Sequence, residues 1–319
     1  MTRVRTAVVG VGAFGEHHAR VLNSSGAAEL VAVVDSNQER ADAVAEKFGC
    51  QALTSIDELA GRVQAVSLVA PTVLHSELGV ALLQSGIDVL VEKPIAPSLE
   101  AADALIAAAN SNGRILQVGH LERFNPAVEA AKEQATLPLF FEVHRMSLFS
   151  KRSLDIDVVL DLMIHDLDII LSMVESPITR LEATGLAVLS SKPDISSVRI
   201  VFENGCVANL TASRASVEKI RKLRFFQPRQ YISIDYTRQD GVICAVNEQQ
   251  KIAFRQLPVT KGEPLVRQIE SFLECVQTRK QPRVTGQQAR NALGVALRIR
   301  EEMERHGSIV TATLAAHNQ

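Results

Sequence analysis

The chain has 319 residues, more than one hydrophobic core ordinarily supports, so two domains are expected. Hydrophobic residues make up 46% and charged residues 22%, which excludes a disordered or fibrous chain, and a net charge of -2 without a long basic run excludes an electrostatic footprint for nucleic acid. The apolar run in the opening MTRVRTAVVGVGAFG is too short for a bilayer and enters a glycine turn instead of a cleavage site, so neither a membrane partner nor a leader is expected.

From Val4 to Gly119, short β-branched runs (VRTAVVG, ELVAVVD, AVSLVAP, DVLVEKP, RILQVGH) alternate with helical stretches. Uniformly apolar strands separated by helices predict a parallel, doubly wound sheet covered on both faces. After about residue 120 the segments lengthen and partly alternate, as in FFEVHRMSLF, SSVRIVFENG and CVANLTASR. Asn204-Gly205 carries a two-residue hairpin signal, with positive φ expected at both positions. Helices are predicted at Leu154 to Glu175, about Pro264 to Arg279, and Gln287 to His306. The fold class is thus α/β, with a cofactor-binding domain over residues 1–120. Residues 121–319 are read as an α+β domain on a large, mainly antiparallel open sheet, for substrate binding and oligomerisation. Cys50, Cys206, Cys244 and Cys275 lack CxxC or ligand-like spacing, read as reduced thiols, and favour a cytoplasmic protein.

The first strand runs into Gly10-Val11-Gly12-Ala13-Phe14-Gly15 and then a helix. In that context the first glycine permits a tight turn, the second admits a pyrophosphate and the third allows close helix packing. The second strand ends at Asp35, where a carboxylate can accept hydrogen bonds from the adenosine ribose. The same charge repels a 2′-phosphate, and Ser36-Asn37 adds no cation, so NAD is expected over NADP.

Glu92-Lys93-Pro94 follows a strand directly, which puts Lys93 at the carboxyl edge of the sheet. A lysine desolvated there can exchange a proton with a substrate hydroxyl; the alternative is a solvated surface charge. A second cluster lies in DIDVVLDLMIHDLDIIL. At about 100° per residue, Asp157, Asp161, His165 and Asp168 share an arc of about 80°, and Asp166 points to the opposite side. Buried carboxylates and imidazoles need partners, so this stripe faces a polar cleft or forms a structural network. Asp157 suits the helix N-terminus and is left out of the site. A carboxylate and a histidine at i, i+4 can share a zinc or manganese ion, but no metal is assigned, because hydride transfer to NAD needs an acid/base and no metal. His120 and Arg123 sit where the two domains should join. Arg123 suits a phosphate, a carboxylate or an interdomain ion pair, and His120 either binds substrate or simply packs. The basic stretch Lys219 to Arg224 could meet a diphosphate but fits a solvated strand face better.

Together GVGAFG at 10–15, Asp35, APT at 70–72, EKP at 92–94, GHLERFNP, and Asp161 with His165 and Asp168 resemble the family of glucose-fructose oxidoreductase, inositol dehydrogenase and the rhizopine catabolism protein. The likeness covers essentially the whole chain. It implies a Rossmann cofactor domain, with Pro71, Thr72, His75 and Glu92 joining the glycine loop and Asp35 around NAD. It also implies that Lys93 lies beside the nicotinamide and substrate, with Asp161 and His165 completing the catalytic group. A homodimer or homotetramer through the open face of the C-terminal sheet is implied as well. A narrower likeness, carried by GHLERFNPAV, EVHRMSLFSKRSLDIDVVLDLMIHDLDIIL and FENGCVANLTASR, is to the branch of UDP-N-acetylglucosamine 3-dehydrogenases. Its members oxidise the 3-hydroxyl ahead of amination for lipid A. The alternatives are a dehydrogenase or reductase of a free polyol, inositol or aldose, and a non-catalytic dinucleotide sensor. Either Lys93 or His165 takes the hydroxyl proton; the residues alone do not choose between them.

Overall fold

The computed structural model describes residues 2–149, 157–247 and 249–317. The chain divides into two compact units: Met1–Phe124 with Glu263–Asn291, and Asn125–Gly262 with Ala292–Gln319. The sequence reading placed a single cut after residue 120. The chain instead returns to the first unit late, because residues 263–291 carry the apolar surface that this unit buries.

In the first unit, β1 (Val4–Val9), α1 (Ala13–Ser24), β2 (Ala28–Val34), α2 (Gln38–Phe48), β3 (Gln51–Leu53), β4 (Ala65–Leu68), α3 (His75–Gln84), β5 (Asp88–Glu92), α4 (Leu99–Ser111) and β6 (Leu116–Gly119) follow in order. The strands form a parallel sheet ordered β3-β2-β1-β4-β5-β6, the classic doubly wound order. Every residue of β4, β5 and β6 is buried, which explains their uninterrupted apolar runs. Val8, Val33 and Leu90 of the sheet share a core with Leu22 of α1 and with Leu265, Ile269, Phe272 and Val276. Those four recur at helical spacing on the late helix Pro264–Thr278, so one apolar stripe docks it here.

The second unit opens with α5 (Pro126–Glu133), capped by the Asn125 side chain, and β7 (Phe140–Leu148). A single π turn at Val159–Met163 leads into α6 (Ile164–Leu171). β8 (Ile178–Leu186), β9 (Ile195–Phe202), β10 (Val207–Ser216), β11 (Ile220–Gln227), β12 (Gln230–Asp235), β13 (Asp240–Val246) and β14 (Ile252–Gln256) complete an eight-stranded sheet. Its order is β14-β13-β12-β11-β7-β10-β9-β8, antiparallel except for the β7/β10 pair. Burial alternates along β9, so one face of the sheet packs and the other does not. Phe141, Val198, Ile200 and Leu210 meet Leu167 and Ile170 of α6 and Ala296 and Ile299 of the last helix. The late helix Pro264–Thr278 is α7, and α8 spans Gly286–His317.

Several boundaries differ from expectation. Residues 154–156 of the predicted helix lie outside the described residues, and α6 ends at Leu171. The last helix runs past His306 through a weak stretch, Gly307 with β-branched Ile309, Val310 and Thr311, where helical pattern and propensity fade. The β9/β10 turn has positive φ at Gly205 alone, at +84°. Phe202 accepts from the Gly205 amide and pairs with Cys206, so the loop holds three residues with glycine in the left-handed position.

Candidate functional site

The cofactor end is built on the carboxyl edge of the parallel sheet. Gly10 turns the chain at φ +85°, and a Cβ there would lie 2.7 Å from both the Val69 carbonyl oxygen and the Ala70 nitrogen. A Cβ on Gly15 would lie 1.9 Å from the Gly10 oxygen, so only glycine lets α1 start so close to the turn. Gly12 differs: a Cβ there would meet nothing within 4 Å, and it supplies no side-chain cap to α1. That open space at a helix N-terminus, beside exposed Ala13 and Phe14, fits a pyrophosphate.

Asp35 follows β2. Its Oδ2 accepts from the Val11 amide at 3.0 Å and its Oδ1 from the Asn37 amide at 3.0 Å. Arg40 Nη1 lies 3.2 and 3.3 Å from the two oxygens. Asp35, Ser36 and Arg40 line a cleft of about 340 Å³ with Ser55, Ala70 and Pro71. Ser36 and Asn37 add no cation, as their types require, but Arg40 brings one to Asp35. Arg40 sits in the first turn of α2, and its long side chain reaches back to the carboxylate.

Pro71 is exposed, and Thr72 opens a short 3-10 turn before α3. His75 is 1% exposed, and its Nδ1 and Nε2 lie 2.9 and 2.8 Å from the Pro94 and Ala70 carbonyl oxygens. Burial holds its pKa below the ordinary value against the upward pull of those carbonyls. His75, expected around the cofactor, thus braces the Ala70-Pro71-Thr72 turn against the Glu92-Lys93-Pro94 turn.

Glu92 ends β5 as a buried hub. Its Oε1 lies 3.3 Å from His18 Nε2 and 3.4 Å from Gln268 Nε2, and its Oε2 accepts from the Lys93 amide at 3.2 Å. His18 Nδ1 is 3.0 Å from Ser67 Oγ. Any side chain at Gly119 would put a Cβ 2.3 Å from Glu92 Oε1, so glycine in β6 makes the room this carboxylate occupies. Glu92 therefore fixes the backbone that presents half-buried Lys93. Sequence reasoning missed His18, Ser67 and Gln268. The signal for His18 was its place three residues after Gly15, on the inner face of α1.

In the second unit the polar stripe divides by burial. Asp157 Oδ1 accepts from the Val159 and Leu160 amides at 3.0 and 3.1 Å, and its Oδ2 pairs with Arg300 at 2.7 Å, so it caps the helix. Asp168 is 2% exposed, whereas Asp161 and His165 are half-buried. Asp161 lies in the π turn, a distortion that recurs at functional sites. Asp166, on the other side, bonds Arg145 at 2.6 and 2.9 Å and the Tyr236 hydroxyl at 2.8 Å, a structural pair.

His120 and Arg123 belong to the first unit and are 1% and 4% exposed. Arg123 donates to the Arg283 carbonyl at 3.3 Å. Both are expected among the substrate ligands, and both are buried in this structure. Arg224 of the basic stretch pairs with Glu142 at 3.0 Å on a half-exposed strand face, the blander of its two readings. Of the expected catalytic residues, Lys93 stands in the first unit and Asp161 and His165 in the second.

Comparison with known proteins adds identity to this geometry. A family model described as an oxidoreductase family with an NAD-binding Rossmann fold matches residues 4–120, and the corresponding GFO/IDH/MocA C-terminal domain matches 133–232. A UDP-N-acetylglucosamine 3-dehydrogenase of Acidithiobacillus ferrooxidans is 35% identical over 95% of this chain and 98% of its own. A solved structure of that enzyme superposes with a TM-score of 0.91 at 34% identity, covering 96% of this chain and 99% of that one. The scyllo-inositol 2-dehydrogenase of Bacillus subtilis is 30% identical over 67% of this chain and 68% of its own.

Proposed function

The chain belongs to the GFO/IDH/MocA oxidoreductase family, and from that premise we propose that it oxidises the 3-hydroxyl of UDP-N-acetylglucosamine with NAD. The observation that carries the dehydrogenase reading is the Lys93 turn, anchored by the Glu92 hub in the unit that also holds the Asp35 cleft. The nucleotide-sugar substrate is supported by the relative that matches almost end to end.

NAD, when bound, accepts the two electrons and the hydrogen of the substrate C–H bond as hydride. The chain's own residues supply the rest. Lys93 or His165 takes the hydroxyl proton as the C–O bond becomes a carbonyl, and Asp161 orients or electrostatically supports that base. Gly10 and Gly15 shape the glycine turn, Gly12, Ala13 and Phe14 would face the pyrophosphate, Asp35 would hold the adenosine ribose, and Pro71 and Thr72 would border the cofactor. The product is a 3-keto nucleotide sugar suited to amination for lipid A. We place the enzyme in the cytoplasm, where its four free cysteines stay reduced. A homodimer or homotetramer forms through the open face of the eight-stranded sheet. Support for it is the aromatic row of Phe140, Phe226 and Tyr231, with ring centroids 5.8 and 4.9 Å apart, on that face.

The second reading, a free polyol or inositol dehydrogenase, is favoured by the Bacillus subtilis relative. NADH formation by the purified protein decides between them, with UDP-N-acetylglucosamine, inositols and free sugars as substrates. Saturable turnover with the nucleotide sugar alone is the expected result. Turnover with free polyols alone overturns the substrate, and none with any of them leaves a dinucleotide sensor.

A further inference from the structure

We infer that His18 is a positioning residue for the reaction: its imidazole donates to Glu92 and keeps that carboxylate turned so that it anchors the Lys93 backbone. This rests on the proposed role of Lys93 in the oxidation. His18 lies on the inner face of α1 and is 0% exposed. Its ring is fixed from three sides. Nε2 lies 3.3 Å from Glu92 Oε1, Nδ1 lies 3.0 Å from Ser67 Oγ in β4, and the Phe14 ring meets it edge-on with centroids 5.0 Å apart. A hydroxyl can donate or accept, so Ser67 serves Nδ1 in either role and leaves Nε2 to carry a hydrogen toward the carboxylate.

Glu92 is 7% exposed and holds the Lys93 amide on Oε2 at 3.2 Å. That bond joins neighbouring residues, so it survives only while the carboxylate keeps one orientation. Two side chains set the orientation at Oε1, His18 and Gln268 of α7. Gln268 Nε2 stands 3.4 Å away, at the outer edge of hydrogen-bond range, and belongs to a flexible side chain. His18 is the nearer of the two, on a ring that is itself held. On the β6 side the carboxylate meets Gly119, which has no side chain to confine it. With His18 removed, Oε1 loses its rigid partner, the carboxylate turns and the Lys93 amide loses its acceptor. A displacement of about 1 Å at a reacting group is enough to slow catalysis about 100-fold.

The test is turnover of UDP-N-acetylglucosamine, or of inositol if free polyols turn over instead, with NAD and with substrate deuterated at the oxidised carbon. His18→Leu should lower kcat about 10- to 100-fold with the KM for NAD changed a few-fold at most, and should raise the deuterium isotope effect on kcat as the chemical step slows. His18→Gln, whose amide can still donate to Glu92, should recover most of the activity and guards against a folding defect in the leucine variant. His18→Leu combined with Glu92→Gln should be no slower than Glu92→Gln alone, because His18 acts through that carboxylate. Wild-type kcat in His18→Leu, or a loss that adds in full to that of Glu92→Gln, overturns the positioning role and leaves the dehydrogenase standing. Folded wild-type protein that binds NAD and turns over neither the nucleotide sugar nor a polyol overturns the dehydrogenase reading, and this inference with it.

Discussion

Two aspartate–arginine pairs of this chain share their chemistry and differ in their surroundings. Asp166 and Arg145 lie in the second unit with side chains 1% and 3% exposed, held by two short hydrogen bonds and a third from Tyr236. Asp35 and Arg40 lie at the cofactor cleft, where the guanidinium is half in water and one nitrogen makes the contact. Water screens the second pair and is excluded from the first, so the attraction per contact is several-fold larger in the interior. The interior pair is also unforgiving, because loss of either partner strands a buried charge. The cleft pair opens at little cost and is therefore available to a ligand. In this fold, solvent access to the guanidinium separates scaffold from site.

The largest effect should come from a residue that serves chemistry and not scaffold. Lys93→Met is expected to lower kcat by about 10²- to 10⁴-fold, with NAD affinity changed only a few-fold and the unfolding midpoint unmoved. Steady-state turnover, cofactor titration and urea unfolding on one preparation check it; wild-type turnover removes Lys93 from the reaction. The scaffold counterpart is Arg145→Ala. It should cost about 3–5 kcal/mol in urea unfolding, while Arg145→Met with Asp166→Leu should recover most of that loss. A double variant no better than the single would mean that the pair does more than compensate its own burial.

Asp194 is a third buried carboxylate, and its stability contribution depends on pH. Burial alone would raise Asp194, but the Leu189 and Val188 amides, the Ser190 hydroxyl and Arg214 hold it well below the usual carboxylate range. A depressed folded pKa contributes stability that is complete above the unfolded value, near about 3.9, and is lost as pH falls toward the folded one. Between pH 5 and pH 3 the wild type should lose about 1 kcal/mol through this group. Unfolding curves of Asp194→Asn should lack that part of the decline, and parallel pH dependences in the two proteins would contradict it.

The first unit was far more legible in sequence than the second, for a physical reason. Its strands are covered on both faces, so each reads as an apolar run, and its ligand positions follow those strands directly, as Gly10, Asp35 and Lys93 do. What stayed hidden there are contacts between segments far apart in the chain: His18 and Gln268 on Glu92, or the room that Gly119 leaves. In the second unit a 100° period marks Asp157, Asp161, His165 and Asp168 as one stripe, but a π turn breaks that period at Asp161. Burial then separates them, with Asp157 and Asp168 inside and Asp161 and His165 half-buried. Asp166, set aside by the same period, proved to be the anchor, because its partners Arg145 and Tyr236 come from β7 and from the turn that follows β12.

Arg40→Ala removes the outer member of the cleft pair, and Asp35 keeps its two backbone amides. An exposed ion pair contributes about 0–1 kcal/mol, so the unfolding midpoint should shift little in urea and less still at high salt, where a half-exposed pair is screened. Arg145→Ala under the same conditions should show several times the loss and little salt dependence, since no ions reach its pair. If the two variants lose similar stability, Arg40 is scaffold, and its exposure would no longer mark it as the movable member of the Asp35 pair.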